Sequence, residues 1–273
     1  MKGRIVTKMS TFQMPFYFIK TVSQAEKDAW MYKALRDSIS PYYEGNQISA
    51  SFEPIKGWRP FEKYGATPIE IIHNCIKDCD NTLGKILFEK DWFTINGACW
   101  AISGSDFYCE HYYNPHNILV IPKNIITGWT GCYNIEINPV NYPSSMLSNS
   151  YDDIYKRFPS EDKQYILNMK LPYTDCNSHT RSMEAHVFPP AAPELYLMDP
   201  GGHIRYANKD FGLFPLLPST LFNTDPLTFW TRDSSMGGGM TALVAHVTSS
   251  CEGTFIPERI AETKPLFPCF CIG

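Results

Sequence analysis

Short apolar runs, each about the length of a β-strand, fill the chain from residue 90 onward. Turn-forming groups such as Asn-Pro, Pro-Gly-Gly and Asn-Thr-Asp-Pro separate these runs. The runs are DWFTI, CWAIS, NILVIP, YNIEIN, YILNMKLPY, ELYLM, HIRYA, LTFWT and TALVAHV. Because no helical pattern alternates with them, the sequence predicts a mainly β fold, an antiparallel β-sandwich or jelly roll with long loops.

Two helix patterns precede the strands. Ser23 and Glu26 have the spacing of a capping box and predict a helix over residues 23–38. A second helix is predicted from Thr67, with Pro68 at the first helical position and Glu70 completing another capping box. Its apolar residues recur every three or four positions and share one face: Ile69, Ile72, Ile76, Cys79, Leu83 and Ile86.

We therefore expect one β-rich domain over residues 1–273. It would comprise an extended arm over 1–20, helical decoration over 21–90 and a β core over 91–273. The arm contains an apolar run at residues 10–19 that needs a partner, and a neighbouring subunit would supply one.

The net charge and the distribution of charged and apolar residues argue against several classes of function. The 24 basic and 28 acidic residues give a net charge of -4, and no run of Lys or Arg provides the basic surface of a dedicated DNA reader. No apolar stretch reaches the ~18 residues of a membrane span, and the first residues lack the apolar core of a signal peptide. The sequence thus predicts a protein without a membrane span that is not exported.

The cysteines predict a reducing compartment. Their number, nine, is odd, and no Asn-x-Ser/Thr acceptor occurs. Since no pair of CxxC knuckles occurs, no zinc site is predicted. Cys109, Glu110 and His111 are consecutive, but neighbours on a strand point to opposite faces and so would not bind one ion. Cys75 and Cys79 lie one helical turn apart, where core packing is the simpler interpretation. No cofactor or metal is expected.

Two further patterns have a structural interpretation. Gly237, Gly238 and Gly239 precede a strand instead of a helix, which favours a flexible lead over a phosphate loop. The acidic pairs at 152–153 and 161–162 lie in a polar segment, which predicts solvated surface instead of a general acid and base.

The segment around Cys99, Cys-Trp-Ala-Ile-Ser, is the sharpest catalytic pattern. It resembles the nucleophile segment of papain-like cysteine proteases, in which the start of a helix lowers the thiol pKa. His246 would be the base. The second Cys, the Gly and the upstream Gln of that family are absent, as is an Asn-Ser-Trp segment after His246. A buried strand cysteine is the alternative interpretation.

The C-terminal third supplies another resemblance. Residues 185–198 couple a double proline to an apolar run, and the three glycines and the run at 241–248 follow roughly forty residues later. This order resembles the end of the jelly-roll capsid proteins of parvoviruses, particularly the small densoviruses of invertebrates. In that family a proline-rich approach precedes a long loop and the last strand of the barrel.

The resemblance implies a structural protein and not an enzyme: a subunit that self-assembles into an icosahedral virion around single-stranded DNA. It would be made in the reducing interior of a host cell and meet a host-cell receptor. The low charged fraction, 19%, and the many aromatic residues are compatible with two interpretations: the preference of aromatic residues for strands, and surfaces shared between subunits. Two alternatives remain open: a cysteine hydrolase using Cys99 and His246, and a receptor- or carbohydrate-binding β-sandwich that uses an exposed Trp129.

Overall fold

The computed structural model describes residues 45–50, 61–78, 87–106, 114–135, 140–195, 226–235, 240–247 and 253–273. The predicted arm, the predicted helix at 23–38, the Cys109–Glu110–His111 run and the three glycines lie outside these ranges.

The described chain is mainly antiparallel β, as the sequence predicts. Its α-helices are α1 (Pro68–Asp78), α2 (Met146–Arg157) and α3 (Ser160–Lys163). Its strands are β1 (Trp92–Ile95), β2 (Ala98–Ser105), β3 (Ile118–Pro122), β4 (Thr130–Cys132), β5 (Met169–Thr174), β6 (Thr180–Ala185), β7 (Val187–Phe188), β8 (Leu227–Ser234), β9 (Thr241–Val247), β10 (Gly253–Arg259), β11 (Thr263–Pro265) and β12 (Cys269–Ile272). Among the helices described, none is long and apolar enough to cross a bilayer.

The largest sheet of the described chain has five strands in the order β1-β2-β3-β12-β7. A two-residue turn joins β1 to β2, with Ile95 opposite Ala98. Asn96 and Gly97 occupy this turn with φ of 51° and 77°, the left-handed values that a type I′ hairpin requires. Every residue of β3 and β12 is buried, so both faces of the sheet are covered at its centre.

Three smaller sheets complete the described β structure. The strands β10, β9 and β8 form a three-stranded sheet, while β5 pairs with β6 and β4 with β11. Pro257 lies in β10, one of the two outer strands of its sheet, where its missing N–H disfavours pairing with a further strand. These sheets form no closed barrel in the described part of the chain.

The helices cover the five-stranded sheet. Helix α1 packs against β12, and α2 packs against β7 and β4. An aromatic cluster, formed by Trp100 of β2, Phe158 at the end of α2 and Phe270 of β12, fills the space under α2. Its three ring centroids lie 5.0 to 5.8 Å apart.

Some local predictions need correction. Helices α2 and α3 lie in the middle of the chain and not in the N-terminal third. The predicted strand YNIEIN is not a strand in its described part, residues 133–135, and Ala192–Leu195 form a 3₁₀ turn where the strand ELYLM was expected to begin. Strands β10, β11 and β12 follow β9, so the run at 241–248 is not the last strand.

Candidate functional site

Cys99 lies on β2, directly opposite Thr94 of β1. Its Sγ is 3.6 Å from the Thr94 Oγ1, and its side chain is half-buried. The predicted strand location is therefore correct, although burial is only partial. A strand offers no helix N-terminus to stabilise a thiolate, so the activating element of the papain-like arrangement does not occur at Cys99.

His246 lies in a different sheet, on β9. Its Nε2 is 2.9 Å from the Oε1 of Glu258, and Glu258 also forms an ion pair with Lys264. Within the described ranges, no hydrogen bond joins His246 to Cys99. The structure thus places the two residues of the hydrolase hypothesis in different sheets, with His246 paired to Glu258 in a half-buried polar cluster.

Trp129 is half-buried and not an exposed contact residue. Its ring centroid lies 6.2 Å from that of Trp100, and the Arg157 guanidinium lies over the ring at 5.6 Å. The adjacent depression, also lined by Asn96, has a volume of about 10 Å³, enough for about one water molecule. Arg157 thus already occupies one face of the Trp129 ring, where a sugar ring would otherwise stack.

The two cysteines predicted to lie one helical turn apart were candidate metal ligands. Cys75 is fully buried in the hydrophobic core, as predicted, whereas Cys79 lies outside the described residues. Across the described ranges, no three His, Cys, Asp or Glu side chains are close enough together to hold a metal ion.

A buried polar arrangement in the described chain was not predicted from the sequence. We call Arg232, Asp233 and Glu194 the Arg232 cluster; all three are buried. The Arg232 guanidinium forms a two-pronged ion pair with the Glu194 carboxylate. It also donates to the carbonyl oxygens of Pro172, at 2.6 Å, and Pro189, at 2.8 Å. One side chain on β8 thereby fastens β5 and the proline-rich segment after β7.

Asp233 adds two further hydrogen bonds between these segments. Its two carboxylate oxygens accept the backbone N–H groups of Thr174, at 2.7 Å, and Ala192, at 2.9 Å. Burial raises the pKa of Glu194, while the positive charge of Arg232 opposes that shift. The charged pair Arg232-Asp233 directly after the run LTFWT was the available sequence signal, because charges inside a buried strand require partners.

A second polar arrangement holds α1. Thr67 caps the helix as predicted: its Oγ1 accepts the backbone N–H of Glu70 and donates to the carboxylate of Asp162, at 2.7 Å. Asp162 is buried and not solvated, and burial raises the pKa of its carboxyl group. Further along α1, the Nδ1–H of His73 donates to the carbonyl oxygen of Gly273, just after β12.

These polar groups connect elements of the fold and do not line an open cleft. The Arg232 cluster holds loops to strands, and the groups on α1 hold that helix to α3 and to the end of β12. No family model matches the chain, and comparison with curated proteins and with solved structures finds no match.

Proposed function

We propose that this chain is the structural subunit of a viral capsid, which self-assembles into an icosahedral shell enclosing the genome. The Arg232 cluster is the observation that carries the proposal. The order of the double proline and the run at 241–248 resembles that of parvovirus capsid proteins. Arg232 and its neighbour Thr231 bind these two segments. Arg232 binds the Pro189 carbonyl, and the Thr231 Oγ1 donates to the Leu243 carbonyl of β9 at 3.0 Å.

Buried polar contacts that hold loops in one conformation suit a shell subunit. Copies that meet in a closed symmetric shell must present the same surface each time, so their loops need one fixed shape. Buried ion pairs and hydrogen bonds are directional and select one arrangement of the segments they join. The Arg232 cluster applies this to the proline-rich segment over Ala192–Leu195.

The partners follow from the same proposal. Each copy contacts other copies, the interior holds single-stranded DNA, and the outer surface meets a host-cell receptor. Since no run of basic residues occurs, contact with DNA would rely on aromatic stacking and scattered cations. The mature location is the virion, after synthesis in a reducing host compartment.

Particle mass tests the proposal. The protein is expressed in a reducing cytoplasm, purified and measured by light scattering over a range of salt and pH. We expect a particle of about 60 × 31.2 kDa, or ~1.9 MDa, that protects DNA from nuclease. A stable monomer under every condition would contradict the capsid function.

A further inference from the structure

Large apolar side chains are exposed at four positions of the described chain. They are Ile135 at 62% exposure, Met240 at 52%, Met146 at 40% and Ile256 at 38%. An isolated exposed apolar residue is ordinary, whereas several on one surface mark a site of contact. The relative positions of these four side chains therefore decide whether they indicate a contact surface.

Three of the four lie on adjacent backbone segments. Leu147, next to Met146, donates its N–H to the Tyr133 carbonyl. Asn134, next to Ile135, donates to the Ile260 carbonyl, and the Ile260 N–H donates to the Met240 carbonyl. Segments bonded in this way lie roughly 5 Å apart. Ile135, Met146 and Met240 thus belong to one surface region, which we call the Ile135 patch.

We propose that the Ile135 patch is a contact surface between two copies of this chain. This inference rests on the proposed function in that copies assemble, and it adds the surface through which they do so. Burying three such side chains between copies would remove apolar area from water.

Charges beside the patch favour a second copy as the occupant. Arg259 is exposed on β10 opposite Thr241, the neighbour of Met240. Glu262 is exposed on the following turn, where its N–H donates to the Arg259 carbonyl. Its carboxylate pairs with Lys264 of the same chain at 3.1 Å and remains 49% exposed, which leaves room for a second cation. Both signs of charge therefore border the same apolar surface. In a two-fold contact each copy presents the same surface, so Arg259 of each copy can meet Glu262 of the other.

Strand β10, one of the two outer strands of the three-stranded sheet, is a poor site for contact between copies. Pro257 of β10 is exposed and has no N–H to offer a further strand. Strand addition along β10 is thereby disfavoured. Ile256, on β10 beside Pro257, lies outside the patch and serves as a matched control.

The first experiment compares apolar variants by analytical ultracentrifugation. The double variant Ile135→Ser/Met240→Ser should weaken association at least about tenfold, because a few buried apolar side chains carry most of the affinity of an interface. Ile256→Ser should associate like the wild type. Circular dichroism and thermal midpoints verify folding, which substitutions at exposed positions should leave intact.

The second experiment tests the two-fold arrangement by charge reversal. Arg259→Glu and Glu262→Arg should each weaken self-association, because like charges then meet. An equimolar mixture of the two variants should associate again, since each then offers the charge that the other lacks. Assembly of both single variants at wild-type strength would overturn the charge arrangement.

The outcomes separate this inference from the capsid function. A wild-type particle unaffected by Ile135→Ser/Met240→Ser would leave the capsid proposal standing and overturn the patch. A wild-type dimer that this double variant dissociates would support the patch and contradict the shell. A wild-type monomer would contradict both.

Discussion

The Arg232 cluster and the aromatic cluster around Trp100 hold neighbouring parts of the molecule by different means. Arg232 and Trp100 are both almost completely buried. Arg232 makes directed bonds to a carboxylate and two carbonyl oxygens, whereas Trp100 contacts the rings of Phe158 and Phe270. The indole Nε1–H of Trp100 has no hydrogen-bond partner in the described chain.

The difference concerns what a substitution leaves behind. Removing Arg232 leaves the carboxylate of Glu194 buried without its cation, and such an orphaned charge is costly. Shrinking Trp100 leaves a small cavity lined by apolar atoms, whose cost grows with its volume. The polar cluster should therefore be far less tolerant of change than the aromatic one.

The largest effect is expected from Arg232→Met. This variant should lose about 3 to 5 kcal/mol of unfolding free energy, since it breaks a buried ion pair. Urea denaturation followed by circular dichroism measures the loss. The double variant Arg232→Met/Glu194→Leu serves as the control and should recover part of the loss, because it removes the orphaned carboxylate as well. A single variant that loses less than ~1 kcal/mol would show that the two clusters do not differ in the way described.

A smaller effect is expected from Trp100→Phe, at about 1 to 2 kcal/mol. The substitution replaces the indole with a smaller phenyl ring and breaks no hydrogen bond of the indole Nε1–H. The same urea titration measures it, with Trp129→Phe as a half-buried control that should lose less. If Trp100→Phe proved as costly as Arg232→Met, packing in the aromatic cluster would be just as intolerant.

The smallest effect is expected for the pH dependence of stability that arises from His73. Burial lowers the pKa of His73 below its ordinary 6.5, and Lys77 acts in the same direction. The hydrogen bond to Gly273 and the charge of Glu70 oppose the shift. The unfolded chain therefore binds the proton more readily, and stability should fall as the pH drops through about 6.5.

Thermal midpoints at pH 7.5 and pH 5.0 measure this dependence. His73→Gln cannot titrate in this range, so its midpoint should fall less than that of the wild type. Because the other histidines are unchanged, the difference between the two proteins isolates His73. Equal falls would exclude His73 as a source of the pH dependence.

Local patterns predicted much of the fold. The strands β1, β2, β3, β8 and β9 were predicted from their apolar runs, and α1 from Thr67, Pro68 and Glu70. These signals work because the residues that determine each element are close together in the chain. Helix α2 had such a signal as well, which sequence reasoning missed. Ser145 caps it, and its buried residues Leu147, Tyr151 and Ile154 recur every three or four positions.

The Arg232 cluster and β12 depend instead on distant partners. Arg232 meets Glu194, 38 residues away, and Pro172, 60 residues away. The run Cys269–Ile272 is too short to identify as a central strand without β3 beside it. Asp162 was misjudged for the same reason, because Thr67 lies 95 residues before it. Spacing within one segment cannot reveal such pairings.

The position of β12 sets a waiting time during synthesis. Val120 of β3 pairs with Phe270 of β12, and 150 residues separate them. At about 5 to 20 residues per second, a ribosome needs roughly 8 to 30 s to make that stretch. For a time of this length β3 lacks the strand that pairs with it at the centre of the sheet, and its unpaired edge is available to chaperones or to other nascent chains.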